Sequence, residues 1–208
     1  MSLFQKNDVV LFQGDSVTDC GRNRDEAFSM GTGYAMMASA LYSAQYPDHN
    51  ITFINKGIGG DRVVDLQSRW KVDALDLQPN WVSILIGIND CWRKYDQDDE
   101  TSTEEYYNGY KQLLQQTKNE LNAGIILCEP FLLPVPEDRK QWRVDLDPKI
   151  QAVRELAREF NTIYVPLDGI FAQASTQATP AYWLPDGVHP TSAGHALISQ
   201  SWLKAVKA

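Results

Sequence analysis

Along this chain, short runs rich in Val and Ile alternate with longer stretches in which apolar residues return every three or four positions. The runs Asp8 to Gln13, Ile51 to Asn55, Trp81 to Ile86, Gly124 to Cys128 and Thr162 to Pro166 predict five strands. Several are apolar almost throughout, as strands covered on both faces are. Tyr34, Met37, Ala38, Leu41 and Tyr42 follow the spacing of one buried helix face, which Pro47 terminates. A capping box from Ser102 to Glu105 opens a second helix, with Tyr106, Tyr110, Leu113, Leu114, Thr117 and Leu121 on one side. Asp147 followed by Pro148 predicts the start of another, carrying Ile150, Val153, Ala157 and Phe160. A last helix is expected from near Thr191 to the C-terminus. Strands alternating with helices imply a parallel sheet covered on both faces, and such sheets bind ligands beyond the carboxyl ends of their strands.

The 208 residues suit one domain over 1–208, large enough to build a core without disulfide or metal support. No repeat or flexible linker divides it. A net charge of −8 argues against nucleic-acid or anionic-membrane partners, which need a basic footprint, and favours a neutral substrate. The N-terminus lacks the basic start and apolar stretch of a signal peptide, and no apolar run approaches the roughly 18 residues of a membrane helix. Cys20, Cys91 and Cys128 are odd in number and without metal-ligand spacing, so they read as reduced thiols in a cytosolic protein. No metal or organic cofactor is expected.

The chemistry is sought in the loops after the strands. Gly14-Asp15-Ser16 follows the first; Ser16 is either a turn serine capping a helix or a nucleophile at the mouth of the sheet. Asp15 can brace that loop by accepting backbone N–H groups. Gly57, Gly59 and Gly60 follow the second strand and free backbone N–H groups for another molecule. After the third, Asn89 either caps a helix or donates its amide N–H to a developing oxyanion, worth about 3 kcal/mol in comparable sites. The last loop sets Asp186 three residues before His189, so that the carboxylate can hold one ring nitrogen protonated and leave the other free to take a serine proton. His49 and His195 read as structural or solvated, and no third ligand completes a zinc site with His189 and His195.

These four segments, in this order, resemble the blocks of the SGNH hydrolase (GDSL esterase/lipase) family over almost the whole chain. The resemblance implies Ser16 as nucleophile, His189 as general base and Asp186 as its orienting acid. It implies an oxyanion hole from the backbone N–H groups of Ser16 and Gly60 with the Asn89 side chain. The implied fold is a three-layer, flavodoxin-like α/β arrangement with five parallel strands in the order 2-1-3-4-5. The stretches Gly-Asp-Ser-Val-Thr-Asp-Cys-Gly-Arg, Asn-Lys-Gly-Ile-Gly-Gly-Asp-Arg and Ile-Gly-Ile-Asn-Asp-Cys-Trp-Arg look closest to the bacterial branch of intracellular xylan acetylesterases. That branch implies an acetylated xylo-oligosaccharide as substrate.

Asp15, Trp92, Arg93 and Trp183 are candidate substrate contacts, the tryptophans as sugar platforms or as ordinary core residues. The acidic run Asp96 to Glu105 reads as a solvated loop and helix start. Glu129 to Asp147, with three prolines and no clear period, is expected to border the pocket or a subunit interface, and a homo-oligomer is a further expectation. Competing readings are a lysophospholipase, thioesterase or short-chain carboxylesterase with the same triad, a phosphoryl-transfer enzyme using Asp15, and a non-catalytic sugar binder. The Asp-x-Asp pattern of the phosphoryl-transfer reading is missing, and so is the Gly-x-Ser-x-Gly elbow of the α/β-hydrolase fold.

Overall fold

A computed structural model describes residues 2–208. Five strands, β1 (Val9–Gly14), β2 (Thr52–Asn55), β3 (Trp81–Leu85), β4 (Gly124–Cys128) and β5 (Ile163–Val165), form one sheet in the order β2-β1-β3-β4-β5. Every pairing is parallel, with Leu11 opposite Ile54 and Val82, and Ile84 opposite Leu127. The expected topology is the observed one. Strand bounds move by a residue or so at each end, as the apolar runs extend slightly past the ladders.

Because successive strand residues face opposite sides, each strand feeds two cores. Val10 and Phe12 of β1, Leu85 of β3, and Ile126 and Cys128 of β4 point to one face. There they meet α2 (Tyr34–Gln45), α7 (Leu167–Ala174) and α9 (Ser192–Ala205). Leu11, Val82, Ile84, Ile125 and Leu127 point to the other, against α3 (Val63–Asp73), α5 (Thr103–Leu121) and α6 (Arg143–Glu159). The near-continuous apolar strands are the direct consequence: both faces are covered. A third cluster of Ile88, Cys91, Leu132, Trp142, Leu146, Ile150 and Val188 lies under the loops that follow the strands.

Two helix expectations need correction. The buried face of α2 is Tyr34, Ala35, Ala38, Ser39 and Tyr42; Met37 is only partly covered and Leu41 is exposed. The small side chains Ala35, Ala38 and Ser39 are buried beside Tyr34 and Tyr42, so the helix is rotated from the orientation that its largest apolar residues suggest. Asp147 and Pro148 do not start α6. A 3₁₀ turn at Glu137–Trp142 leads into the helix at Arg143, and Pro148 lies inside it. The missing proline N–H orphans the carbonyl of Val144, whose side chain is exposed, so water reaches that side of the helix. By contrast, Ser102 caps α5 as expected: its Oγ accepts from Glu105 N–H at 3.1 Å while the Glu105 carboxylate accepts from Ser102 N–H at 2.8 Å.

One buried polar contact ties α9 to the sheet. Ser83, inside the apolar β3, accepts the Trp202 indole N–H at 2.9 Å, and both residues are fully buried. Removing the acceptor leaves a desolvated donor unpaired, a loss of about 1–3 kcal/mol. Ser83→Ala is therefore expected to lower the urea midpoint of unfolding with an unchanged slope, and the same change should cost less in a Trp202→Phe background, where no indole N–H is left unpaired.

Candidate active site

Ser16 opens α1 (Ser16–Asp19), a single turn directly after β1. Asp15 caps that turn, its carboxylate accepting from Val17 N–H at 3.0 Å. As the first residue of a helical turn, Ser16 keeps a backbone N–H with no partner inside it. Its Oγ lies 3.0 Å from His189 Nε2. Two elements far apart in sequence thus meet at the carboxyl edge of the sheet.

His189 is held from behind by one carboxylate. Asp186 takes backbone N–H bonds from Val188 at 3.0 Å and His189 at 2.7 Å on one oxygen, and lies 2.6 Å from His189 Nδ1 with the other. The carboxylate can only accept, so Nδ1 carries the proton and Nε2 turns its lone pair to Ser16. Burial works against the Asp186 charge, but the His189 side chain and the two backbone N–H groups outweigh it and hold its pKa well below the usual carboxylate range. The same carboxylate raises the His189 pKa above 6.5, against the opposing effect of burial. The turn is also pinned by the Gly187 carbonyl, which accepts from Leu133 N–H at 3.0 Å.

The other side of the site is built by the loop after β2. Gly60 adopts φ +92°, a left-handed conformation that favours glycine, and the space where a side chain would stand is open. Gly57 packs so close to the backbone of Asp19 that a Cβ would collide with it. Asn89, in the first turn of α4 (Ile88–Gln97) and 3% exposed, donates one Nδ2 hydrogen to the Asp61 carbonyl at 3.0 Å. The glycine loop and Asn89 are therefore neighbours, with the second Nδ2 hydrogen taken by no protein acceptor among the described residues.

Several residues that hold this loop carry no periodic signal and were not singled out by sequence reasoning. Asp19 accepts from Gly59 N–H at 3.0 Å and from Arg24 at 2.8 Å. Asn55, at the end of β2, donates to the Thr18 carbonyl at 2.7 Å and accepts from Gly57 N–H at 2.9 Å. Arg69 bonds the Asp61 carboxylate and the Lys56 carbonyl, each at 2.8 Å. Asp90 receives Val63 N–H on both oxygens at 3.2 Å and so caps α3 from the first turn of α4. The one legible hint was Asn55, a polar residue closing an apolar strand. For the rest, the partner lies in a different segment.

The four candidate substrate contacts take different places. Asp15 lies beneath the site, 1% exposed, with no surface to offer a ligand; burial pushes its pKa up to about 7. Trp92 is half-buried, its ring centre 5.9 Å from that of His189 and 5.2 Å from that of Trp142. The Arg139 guanidinium covers Trp142 at 4.0 Å and Trp92 at 5.5 Å. The proline-containing stretch 129–147 thereby borders the site. Arg93 turns to Asn89, with Nη2 donating to its Oδ1 at 3.2 Å. Trp183 gives its indole N–H to the Ala174 carbonyl at 3.1 Å, which directs its polar edge to α7. His195 stands apart: Nδ1 accepts from Tyr34 N–H at 3.1 Å, and burial lowers its pKa to about 4.

A serine, histidine and carboxylate at the carboxyl edge of a five-stranded parallel sheet define the serine-hydrolase class on a flavodoxin-like frame. The sequence pattern of the GDSL-like Lipase/Acylhydrolase family matches residues 12–197, and the chain belongs to that family of ester hydrolases. It is 38% identical over 205 residues to an acetylxylan esterase of Geobacillus stearothermophilus, covering 95% of this chain and 93% of the relative. The crystal structure of Axe2, an acetylxylan esterase from the same organism, superposes with a TM-score of 0.89 at 35% identity, covering 99% of this chain and 96% of that one. Catalytic mutants of Axe2 replace an aspartate and a histidine three positions apart. A thioesterase 1/protease 1/lysophospholipase L1 of Escherichia coli is 26% identical over 84% of this chain and 77% of its own.

The contrast between the histidines is measurable. In a proton NMR titration the His189 ring should stay protonated to a pH above 6.5, whereas His195 should stay neutral down to about pH 4. Asp186→Asn removes the stabilising carboxylate, so the His189 midpoint should fall while that of His195 stays in place.

Proposed function

We propose that this chain is a serine esterase that removes acetyl groups from xylo-oligosaccharides through an acetyl-serine. The 3.0 Å approach of Ser16 Oγ to a His189 whose other nitrogen faces Asp186 carries the reading. Ser16 attacks the acetyl carbonyl as its proton passes to His189 Nε2. The carbonyl oxygen becomes an oxyanion, taken up by the backbone N–H groups of Ser16 and Gly60 and the free Nδ2–H of Asn89. Collapse breaks the ester bond, and His189 returns the proton to the departing sugar oxygen. Water then attacks the acetyl-serine, again losing its proton to His189, and acetate leaves as Ser16 is reprotonated. No metal or organic cofactor enters these steps.

The substrate assignment is supported by the similarity to acetylxylan esterases across nearly the whole chain. The Asp-x-x-His spacing of 186 and 189 also matches that of the Axe2 catalytic mutants. The relationship to a thioesterase/lysophospholipase makes the long-acyl reading the natural competitor. A cytosolic setting fits the three free cysteines, and among the described residues no helix is long and apolar enough to cross a membrane.

Hydrolysis of 4-nitrophenyl acetate, butyrate and octanoate is expected to fall steeply with chain length, each misfitting methylene costing about 1–3 kcal/mol. Acetate should be released from acetylated xylo-oligosaccharides, and Ser16→Ala should abolish both activities. Octanoate preference would leave the mechanism standing and remove the carbohydrate assignment; full activity in Ser16→Ala would remove the mechanism.

A pH profile adds a second check. The base works only when neutral, and its pKa is raised, so kcat/KM should climb with pH through a midpoint above 6.5. Asp186→Asn should move that midpoint down and lower the rate by up to about 10⁴-fold. An unshifted midpoint in the variant would show that the limb belongs to another group.

A further inference from the structure

Arg93 and Asn89 stand four positions apart on α4, one helical turn, so their side chains share a face. The Asn89 amide is held at both ends. Its oxygen accepts from Arg93 Nη2 at 3.2 Å, and its nitrogen donates to the Asp61 carbonyl at 3.0 Å. A flipped amide would set nitrogen against guanidinium and oxygen against carbonyl, donor on donor and acceptor on acceptor. Both partners therefore select one orientation, and in that orientation a single Nδ2 hydrogen is left over.

The guanidinium is itself fixed. It pairs with Asp96 one turn further on, and its Cζ lies 5.6 Å from the centre of the Trp92 ring. Only 20% of the Arg93 side chain is exposed. An arginine so anchored loses little further freedom in holding the amide, and its planar fork serves Asp96 and Asn89 at once. A charged donor on the amide oxygen also draws electron density toward that oxygen, which leaves the nitrogen hydrogens more positive.

From this we propose that Arg93 is a positioning residue of the oxyanion hole. It sets the orientation of the Asn89 amide and strengthens its free N–H as a donor to the tetrahedral intermediate. The role rests on the reading that Asn89 is an oxyanion donor. It replaces a substrate contact as the use of the Arg93 side chain, and it accounts for why an arginine facing the site is spent on an asparagine.

The test is a double-mutant cycle on 4-nitrophenyl acetate hydrolysis, with Arg93→Met, Asn89→Ala and the pair together. Asn89→Ala is expected to lower kcat by about 10²–10³-fold, as loss of one oxyanion donor does. Arg93→Met should lower kcat by about tenfold, a fraction of that loss, with KM within about twofold. In the Asn89→Ala background the Arg93 change should cost almost nothing more. Arg93→Lys, which keeps the charge but not the fork, should recover part of the activity and guards against a folding defect in the Met variant.

Equal losses from Arg93→Met in both backgrounds would overturn the proposal, because the guanidinium would then act independently of Asn89. A rise in KM with kcat unchanged would overturn it too and assign Arg93 to the substrate. An Asn89→Ala enzyme with wild-type kcat would instead bring down the oxyanion reading itself, and the role of Arg93 with it.

Discussion

The site depends on carboxylates that accept backbone N–H groups. Loops that leave the carboxyl ends of parallel strands cannot satisfy their own amides through a ladder or a helix, and a polar group left unpaired there is expensive. Asp15 takes Val17 N–H, Asp19 takes Arg22 and Gly59, Asp90 takes Val63, and Asp186 takes Val188 and His189. Each such bond contributes about 0.5–1.5 kcal/mol where the acceptor is neutral and about 1.5–3 kcal/mol where it is charged, and together they hold a loop in one conformation. The chemistry is then assembled from what these acids hold still: a serine on a one-turn helix, a histidine with one tautomer, and an open glycine.

Two of these acids are buried outright, and burial pushes Asp15 and Asp90 each up to about 7. Asp186 sits nearer solvent and takes three hydrogen bonds from His189 and Val188, so its charge is kept over the whole range in which the histidine titrates. The same residue type thus serves as a hidden strut in one loop and as a permanent anion in another. Surroundings decide the difference. The aromatic layer of Trp92 and Trp142, covered by Arg139, shields the flank of the histidine and joins the third core cluster to the site.

The frame explains why so small a set of residues can be assembled so accurately. β1 and β3 are neighbours in the middle of the sheet, so the loops bearing Ser16 and Asn89 emerge side by side. β2 lies on the other flank of β1 and delivers Gly60 to the same edge. The histidine arrives from the far end of the chain, on the turn before α9, whose Trp202 is buried against β3 through Ser83. The core contact that positions the last helix is therefore also part of what brings the base to the nucleophile.

The strand order was implied by the family resemblance and not by any local pattern. Strand identity, the capped start of α5, and the loops bearing Ser16, Gly60, Asn89, Asp186 and His189 were legible in the sequence by itself. Each depends on local pattern: apolar runs, a Ser-x-x-Glu box, and reactive residue types directly after strands. The facing side of α2, the true start of α6, and the fates of Asp15, Arg93 and Trp183 were not. Those depend on what lies opposite: an aspartate beside Ser16 looks the same whether it faces solvent or the core, and an arginine after an asparagine does not announce that it holds its amide. Residue type and spacing determined which groups were available for chemistry. Only the tertiary structure decided which were buried, which were partnered, and which were left free to act, because burial and pairing are properties of residues far apart in the chain.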